Sequence, residues 1–174
     1  MANENAGFLS NTSWELNGVN TKVVSESDGT KSILAVASGT QATMPSRQAC
    51  GTWEFEVSGP TGFYQTVIIM STTKLGTFAD TGYNFSFRDN GTILFRRGNG
   101  GGATTLITAG GTFSFDTYHK IKITRTSAGL WELFINGVSQ GTSSDNTYTT
   151  STWCNLDLDA NGKLRNFKFL PYIE

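Results

Sequence analysis

An all-β antiparallel sandwich or barrel is the fold class this sequence predicts, and three observations predict it. Many short segments alternate apolar and polar residues with the two-residue period of half-buried strands. They recur at roughly 8 to 12 residue spacing, each closed by Gly, Asn, Asp or Ser. The composition agrees: 20 glycines, 12% aromatic and only 16% charged residues suit strands and turns better than helices.

At 174 residues the chain is long enough to bury one core without metal or disulfide staples. Residues 1–11 are polar and predict a flexible arm, with Phe8 and Leu9 available to pin it, ahead of a single domain over 12–174. Short strands follow at 13–16 (SWEL), 21–25 (TKVVS), 32–36 (SILAV) and 41–44 (QATM). GTWEFEV at 51–57 sets Trp53, Phe55 and Val57 against Glu54 and Glu56. Residues 64–71, YQTVIIMS, are apolar on both faces, which suits a central strand covered on both sides.

YNFSFR at 83–88 opposes Tyr83, Phe85 and Phe87 to Asn84, Ser86 and Arg88, and Asp89-Asn90-Gly91 turns it into TILFRR at 92–97. GNGGGA at 98–103 is too glycine-rich for a strand interior and has no helix-forming sequence after it, so it is a loop and not a phosphate cradle. TTLIT at 104–108 and FSF at 113–115 follow. Residues 118–141 then make two consecutive hairpins. Ile121 and Ile123 alternate with Lys120, Lys122 and Thr124. Trp131, Leu133 and Ile135 alternate with Glu132 and Asn136, and Asn136-Gly137 supplies the positive φ of a tight turn. After a polar loop at 143–151 come TWCNLDL at 152–158, a turn at 159–162 and LRNFKFL at 164–170.

The charge balance, 13 Lys plus Arg against 14 Asp plus Glu, argues against a nucleic-acid partner held by a basic field and against a polybasic membrane anchor. The first residues carry neither a charged n-region nor an apolar run, so synthesis in the cytoplasm without a secretory signal is expected. Cys50 and Cys154 stand in no CxxC or Cys/His cluster, which disfavours zinc. Two free thiols are expected, a bridge remaining geometrically open if their strands are neighbours.

GTWEFEV at 51–57, the run from Tyr118 to Gly137 with its WELFING, and GKLRNFKF at 162–169 carry a resemblance. Over most of residues 8–170 the chain resembles the concanavalin A-like lectin/glucanase superfamily, jelly-roll sandwiches that include laminin G-like domains. It is similar in particular to the small domains of this kind on bacteriophage virions and tail-associated proteins, which lack catalytic residues. The resemblance implies a two-sheet antiparallel jelly roll that binds a glycan or host-surface ligand without catalysis, in a virion. Other virion proteins, or further copies of the chain, are the additional partners it allows. The alternative is a structural capsid or tail decoration domain serving assembly.

The superfamily's hydrolases carry a Glu-x-Asp-x-(x)-Glu strand, and no such segment exists here. Glu54 and Glu56, about 6.8 Å apart along one strand face, come nearest to a catalytic pair. A solvated charge ladder with Lys120 and Lys122 across the same sheet accounts for them better. Asp157 to Gly162 copies the opening of an EF-hand loop, but its twelfth position is Lys168, which disfavours calcium there; no cofactor is expected, the resemblance to laminin G-like domains leaving open a calcium ion at a loop rim. His119 has no partner in a nucleophilic motif.

Sugar binding needs an exposed aromatic ring with planar polar groups beside it. Alternation in TWCNLDL places Trp153, Asn155 and Asp157 opposite the core set Cys154, Leu156 and Leu158, and Asn84, Ser86 and Arg88 make a comparable row. These six are the candidate ligand-binding residues. The competing arrangement has Trp153 under a loop and both rows merely solvated. Arg96 and Arg97, beside the glycine loop, offer an anion site or, more simply, a solvated loop base.

Overall fold

A computed structural model describes residues 14–17, 19–62, 64–109 and 113–171; the expected arm at 1–11 lies outside the described residues. Its strands are β1 (Glu15–Asn17), β2 (Thr21–Ser25), β3 (Lys31–Ala35), β4 (Thr40–Pro45), β5 (Gly51–Ser58), β6 (Gln65–Ser71) and β7 (Gly82–Phe87). There follow β8 (Ile93–Gly98), β9 (Ala103–Ala109), β10 (His119–Arg125), β11 (Leu130–Ile135), β12 (Val138–Ser144), β13 (Trp153–Leu158) and β14 (Lys163–Pro171). Among the described residues there is no helix, and so none long and apolar enough to cross a membrane.

The strands form two seven-stranded antiparallel sheets. The first runs β1-β4-β13-β6-β7-β8-β9, the second β12-β11-β10-β5-β14-β3-β2. Asn136 and Gly137 take φ of 50° and 83° between the paired Ile135 and Val138, the two-residue turn whose twist matches the flanking strands. β6 sits mid-sheet and is buried along its whole length, as its two-faced apolar sequence requires. The strand expected at 113–115 does not form. Asp116 turns the chain at φ 56° and donates its amide to Gly59 O, while Phe113 packs 4.2 Å from the His119 ring. The polar loop expected at 143–151 starts later, because β12 stays paired with β11 as far as Ser144.

The core is a stack of aromatic rings between the sheets. Phe55 lies 5.5 Å from Phe85 and 5.7 Å from Phe167, and Trp131 lies 4.6 Å from Tyr83 and 4.8 Å from Phe95. Such ring pairs add about 0.5–1.5 kcal/mol beyond the area they bury. Trp14, Trp53 and Trp131 are all buried here.

One core residue breaks the apolar pattern. Arg125 follows Ile121 and Ile123 in phase and is buried with them. Its guanidinium donates to Ala49 O and Asn146 Oδ1, each at 2.7 Å, and lies over the rings of Trp131 and Tyr83. Cys50 and Cys154 are free; Cys50 lies in the bend just before β5 of the second sheet and Cys154 on β13 of the first, and burial pushes the Cys154 thiol well up.

Candidate functional site

The two candidate rows meet on one surface, the outer face of the first sheet. Gln41, Asp157, Thr66, Ser86 and Leu94 stand in register across β4, β13, β6, β7 and β8. The next row is Thr43, Asn155, Ile68, Asn84 and Arg96. β13 and β7 are far apart in sequence, and β6 alone separates them in the sheet.

The expectation that all six candidates lie open to solvent is corrected by the structure. Asn155, Asn84 and Ser86 are 0%, 1% and 0% exposed. The connection at 72–81 folds back over Asn155 and Asn84, while Ser86 lies against the Tyr64 hydroxyl and the Arg96 guanidinium. Asn155 Oδ1 accepts from Leu75 N at 3.1 Å and from Thr43 Oγ1 at 2.6 Å, and its Nδ2 donates to Thr73 O at 3.0 Å. Asn84 Nδ2 donates to Phe78 O at 3.0 Å. These amides hold a loop down and are not available to a sugar.

Trp153 is half-buried, with Lys74 Nζ 5.3 Å from its ring centre and Lys74 itself 3.0 Å from Glu15. Arg88 is exposed in the turn beyond β7. Of the six, Asp157 keeps the character expected of a ligand-facing group. Its carboxylate is half-buried, and burial followed by the nearby Asp159 pushes its pKa up.

What the face offers instead is a cluster the sequence reading did not assemble. The Tyr64 amide donates to Asp159 Oδ2 at 2.7 Å, which sets the ring across β7 and β8. The Tyr64 hydroxyl reaches Ser86 Oγ at 3.4 Å and accepts from Arg96 Nη2 at 3.3 Å; Nη2 also donates to Ser86 Oγ. Phe78 lies over the guanidinium, 4.7 Å from ring centre to Cζ. Tyr64 and Phe78 are each 37% exposed. Two surface rings thus flank a buried cation and a hydroxyl. The signal for Phe78 was present: it is the one aromatic residue in the stretch TTKLGTFADTG.

The two arginines beside the glycine loop prove unlike each other. Arg97 pairs with Asp145 Oδ2 at 2.5 Å, whereas Arg96 is buried. Glu54 and Glu56 lie on the second sheet and are engaged. Glu54 contacts Lys168 at 2.9 Å and Lys120 at 3.3 Å, and Glu56 contacts Arg165 at 2.7 Å. Burial would raise the Glu54 carboxyl, but the two lysines hold it below its ordinary value. Lys122 does not join the ladder; its Nζ sits 4.9 Å over the Phe134 ring. Among the described residues no three His, Cys, Asp or Glu side chains gather as a metal site.

In fold the chain is an all-β, two-sheet antiparallel jelly-roll sandwich of the concanavalin A-like kind. Solved structures define the likeness. A carbohydrate-binding module, CBM66, from Bacillus subtilis superposes with a TM-score of 0.68 at 14% identity, over 93% of this chain and 98% of that one. A Bacillus licheniformis β-glucanase gives 0.64 at 11% identity, over 92% of each chain. The receptor-binding domain of botulinum neurotoxin D gives 0.65 at 14% identity, over 92% of this chain and 45% of that one. No family model and no curated protein matches the sequence. One scaffold therefore serves binding modules and enzymes alike, and the chemistry of the face has to carry the functional argument.

Proposed function

We propose that this chain is a non-catalytic carbohydrate- or surface-binding module that takes its ligand on the outer face of the first sheet, between Tyr64 and Phe78. The observation that carries the reading is the pair of exposed rings flanking the polar atoms of Arg96 and Ser86. Rings cover the apolar face of a pyranose while fixed donors and acceptors read its hydroxyls. The likeness to a carbohydrate-binding module supports the class, and the resemblance in sequence supports a virion or tail adhesin as its setting. Isothermal titration against a saccharide panel tests the binding. Tyr64→Ala and Phe78→Ala should each weaken a detected ligand by about two- to tenfold, since a stacked ring contributes about 0.5–1.5 kcal/mol beyond the area it buries. Capsid or tail genes beside this one would support the setting.

One observation favours a second reading, hydrolysis. Asp157 has a raised carboxyl next to a second acid, Asp159, a combination suited to a general acid. Its neighbour is committed to the Tyr64 amide, which argues for binding first. Release of reducing ends from any polysaccharide, abolished in Asp157→Asn, would install the enzyme reading in its place.

A further inference from the structure

We infer that Arg96 receives the carboxylate of an acidic saccharide, so that the face between Tyr64 and Phe78 selects uronate- or sialate-bearing glycans over neutral ones. The inference rests on the glycan-binding reading above and deepens it.

Arg96 is 6% exposed, yet among the described residues no carboxylate lies within ion-pair distance of it. Its acceptors are two hydroxyls, those of Ser86 and Tyr64, and its Nε has no hydrogen-bond partner. Burial pushes its guanidinium below the ordinary value, and Arg88 adds to the push. A guanidinium cannot shed its proton, so it stays a buried cation in search of an anion.

The chain's other interior arginine shows the contrast. Burial pushes Arg125 down as well and its Nε is likewise unpartnered, but it has a carbonyl and an amide oxygen as acceptors, and Tyr83, Cys50 and Asp145 favour its charged form. Arg97 and Arg165 have acids directly. Arg125 points into the core, whereas Arg96 lies on the outer face beneath two exposed rings.

The acids that border this face are committed or distant: Asp80 takes the Thr77 amide and hydroxyl, and Asp159 takes the Tyr64 amide. Asp157, the half-buried acid on the same surface, belongs to β13, and β6 and β7 intervene before β8. Three strand spacings amount to about 14 Å. A ligand carboxylate can neutralise Arg96 instead, because a carboxylate accepts from the planar fork of a guanidinium in two parallel bonds. It takes the place of the Tyr64 hydroxyl at Nη2, and the ring, already exposed, turns against the sugar. The equatorial carboxyl of a uronate lies close to the ring plane, so stacking on Tyr64 or Phe78 and pairing with Arg96 are compatible in one pose; the axial carboxyl of an α-sialoside stands off the ring and meets Arg96 without that stacking.

The test is calorimetric titration of the full chain with paired probes. These are galacturonate oligomers against their methyl esters, hyaluronan oligomers against their carboxyl-reduced forms, and sialyllactose against its methyl ester. At least one acidic member should bind about 10- to 100-fold tighter than its neutral twin. That preference should shrink with added salt and vanish in Arg96→Gln. Arg96→Lys should retain part of it, since it keeps the charge and loses the fork. If the glutamine variant fails to fold, the paired probes and the salt series on the wild type decide alone. Equal binding of acidic and neutral twins overturns the inference and leaves the glycan-binding reading standing. No binding by any probe or neutral saccharide overturns both.

Discussion

Replacing Asn155 by Leu should cost at least about 3 kcal/mol of stability and free the loop at 72–81 without disturbing the sandwich beneath it. Leucine keeps the branched outline of four side-chain heavy atoms, though bulkier, and removes three hydrogen bonds: from Thr43 Oγ1, from Leu75 N and to Thr73 O. At about 1 kcal/mol net for each bond the loss is about 3 kcal/mol. Two features of the structure adjust that sum. The Thr43 hydroxyl retains Cys154 O at 3.3 Å as an acceptor, so it is not orphaned. If the loop lifts, Thr73 and Leu75 regain water, but Ile68, which stands between Asn155 and Asn84 in register, loses its cover at a cost of about 1–2 kcal/mol. Lifting thus adds about 1–2 kcal/mol to the loss of about 3 kcal/mol from the bonds themselves. In a chain of this length the loss from the bonds alone corresponds to a fall in Tm of about 6–12 °C. Urea unfolding gives the free energy, and hydrogen exchange at the Leu75 amide reports the loop. A loss below about 1 kcal/mol, or unchanged exchange at Leu75, refutes the account of Asn155 as the loop's anchor.

Asp157→Asn should raise Tm at neutral pH and leave it unchanged in acid. The folded carboxyl is pushed above its unfolded value of about 3.9, so wild-type stability is fully present below that pH and declines as pH rises through the folded pKa, a decline the amide lacks. Paired melts between pH 3 and 7 check this, and a gap of equal size at both ends would refute it. The Asp28 carboxyl, held by the Thr30 hydroxyl and amide and then by Arg165, should titrate at about 2 by NMR, and a midpoint at the ordinary value would remove that network. Gly137→Ala should cost about 1–2 kcal/mol by thermal melt, because a Cβ there meets nothing within 4 Å and the penalty is that of the positive φ alone. A neutral result would place the hairpin's register elsewhere.

The strands of the sandwich were legible because alternation is a local property. GTWEFEV, YNFSFR and LWELFI each state which residues face inward, and the inward sets Trp53-Phe55-Val57, Tyr83-Phe85-Phe87 and Trp131-Leu133 form the core. Asn136-Gly137 announced its turn for the same reason: positive φ is a demand on two residues. FSF at 113–115 misled because its pattern is too short to outweigh the turn that Asp116 makes next to it.

Alternation also separates one face of a strand from the other, and it placed Asn155, Asp157, Asn84 and Ser86 correctly opposite the core. It cannot say what lies above that face. Whether an outward amide meets water or a loop depends on a connection ten residues long folding back across β13, β6 and β7, which neighbour one another through long-range pairing. That contact turned Asn155 and Asn84 into anchors. The same fold-back laid Phe78 over Arg96, and the Asp159 contact aimed Tyr64 at it, joining residues from three separate stretches of chain. Strand faces follow from the order of residues along a segment. A binding surface follows from which segments the sheet makes neighbours, and no local pattern encodes that.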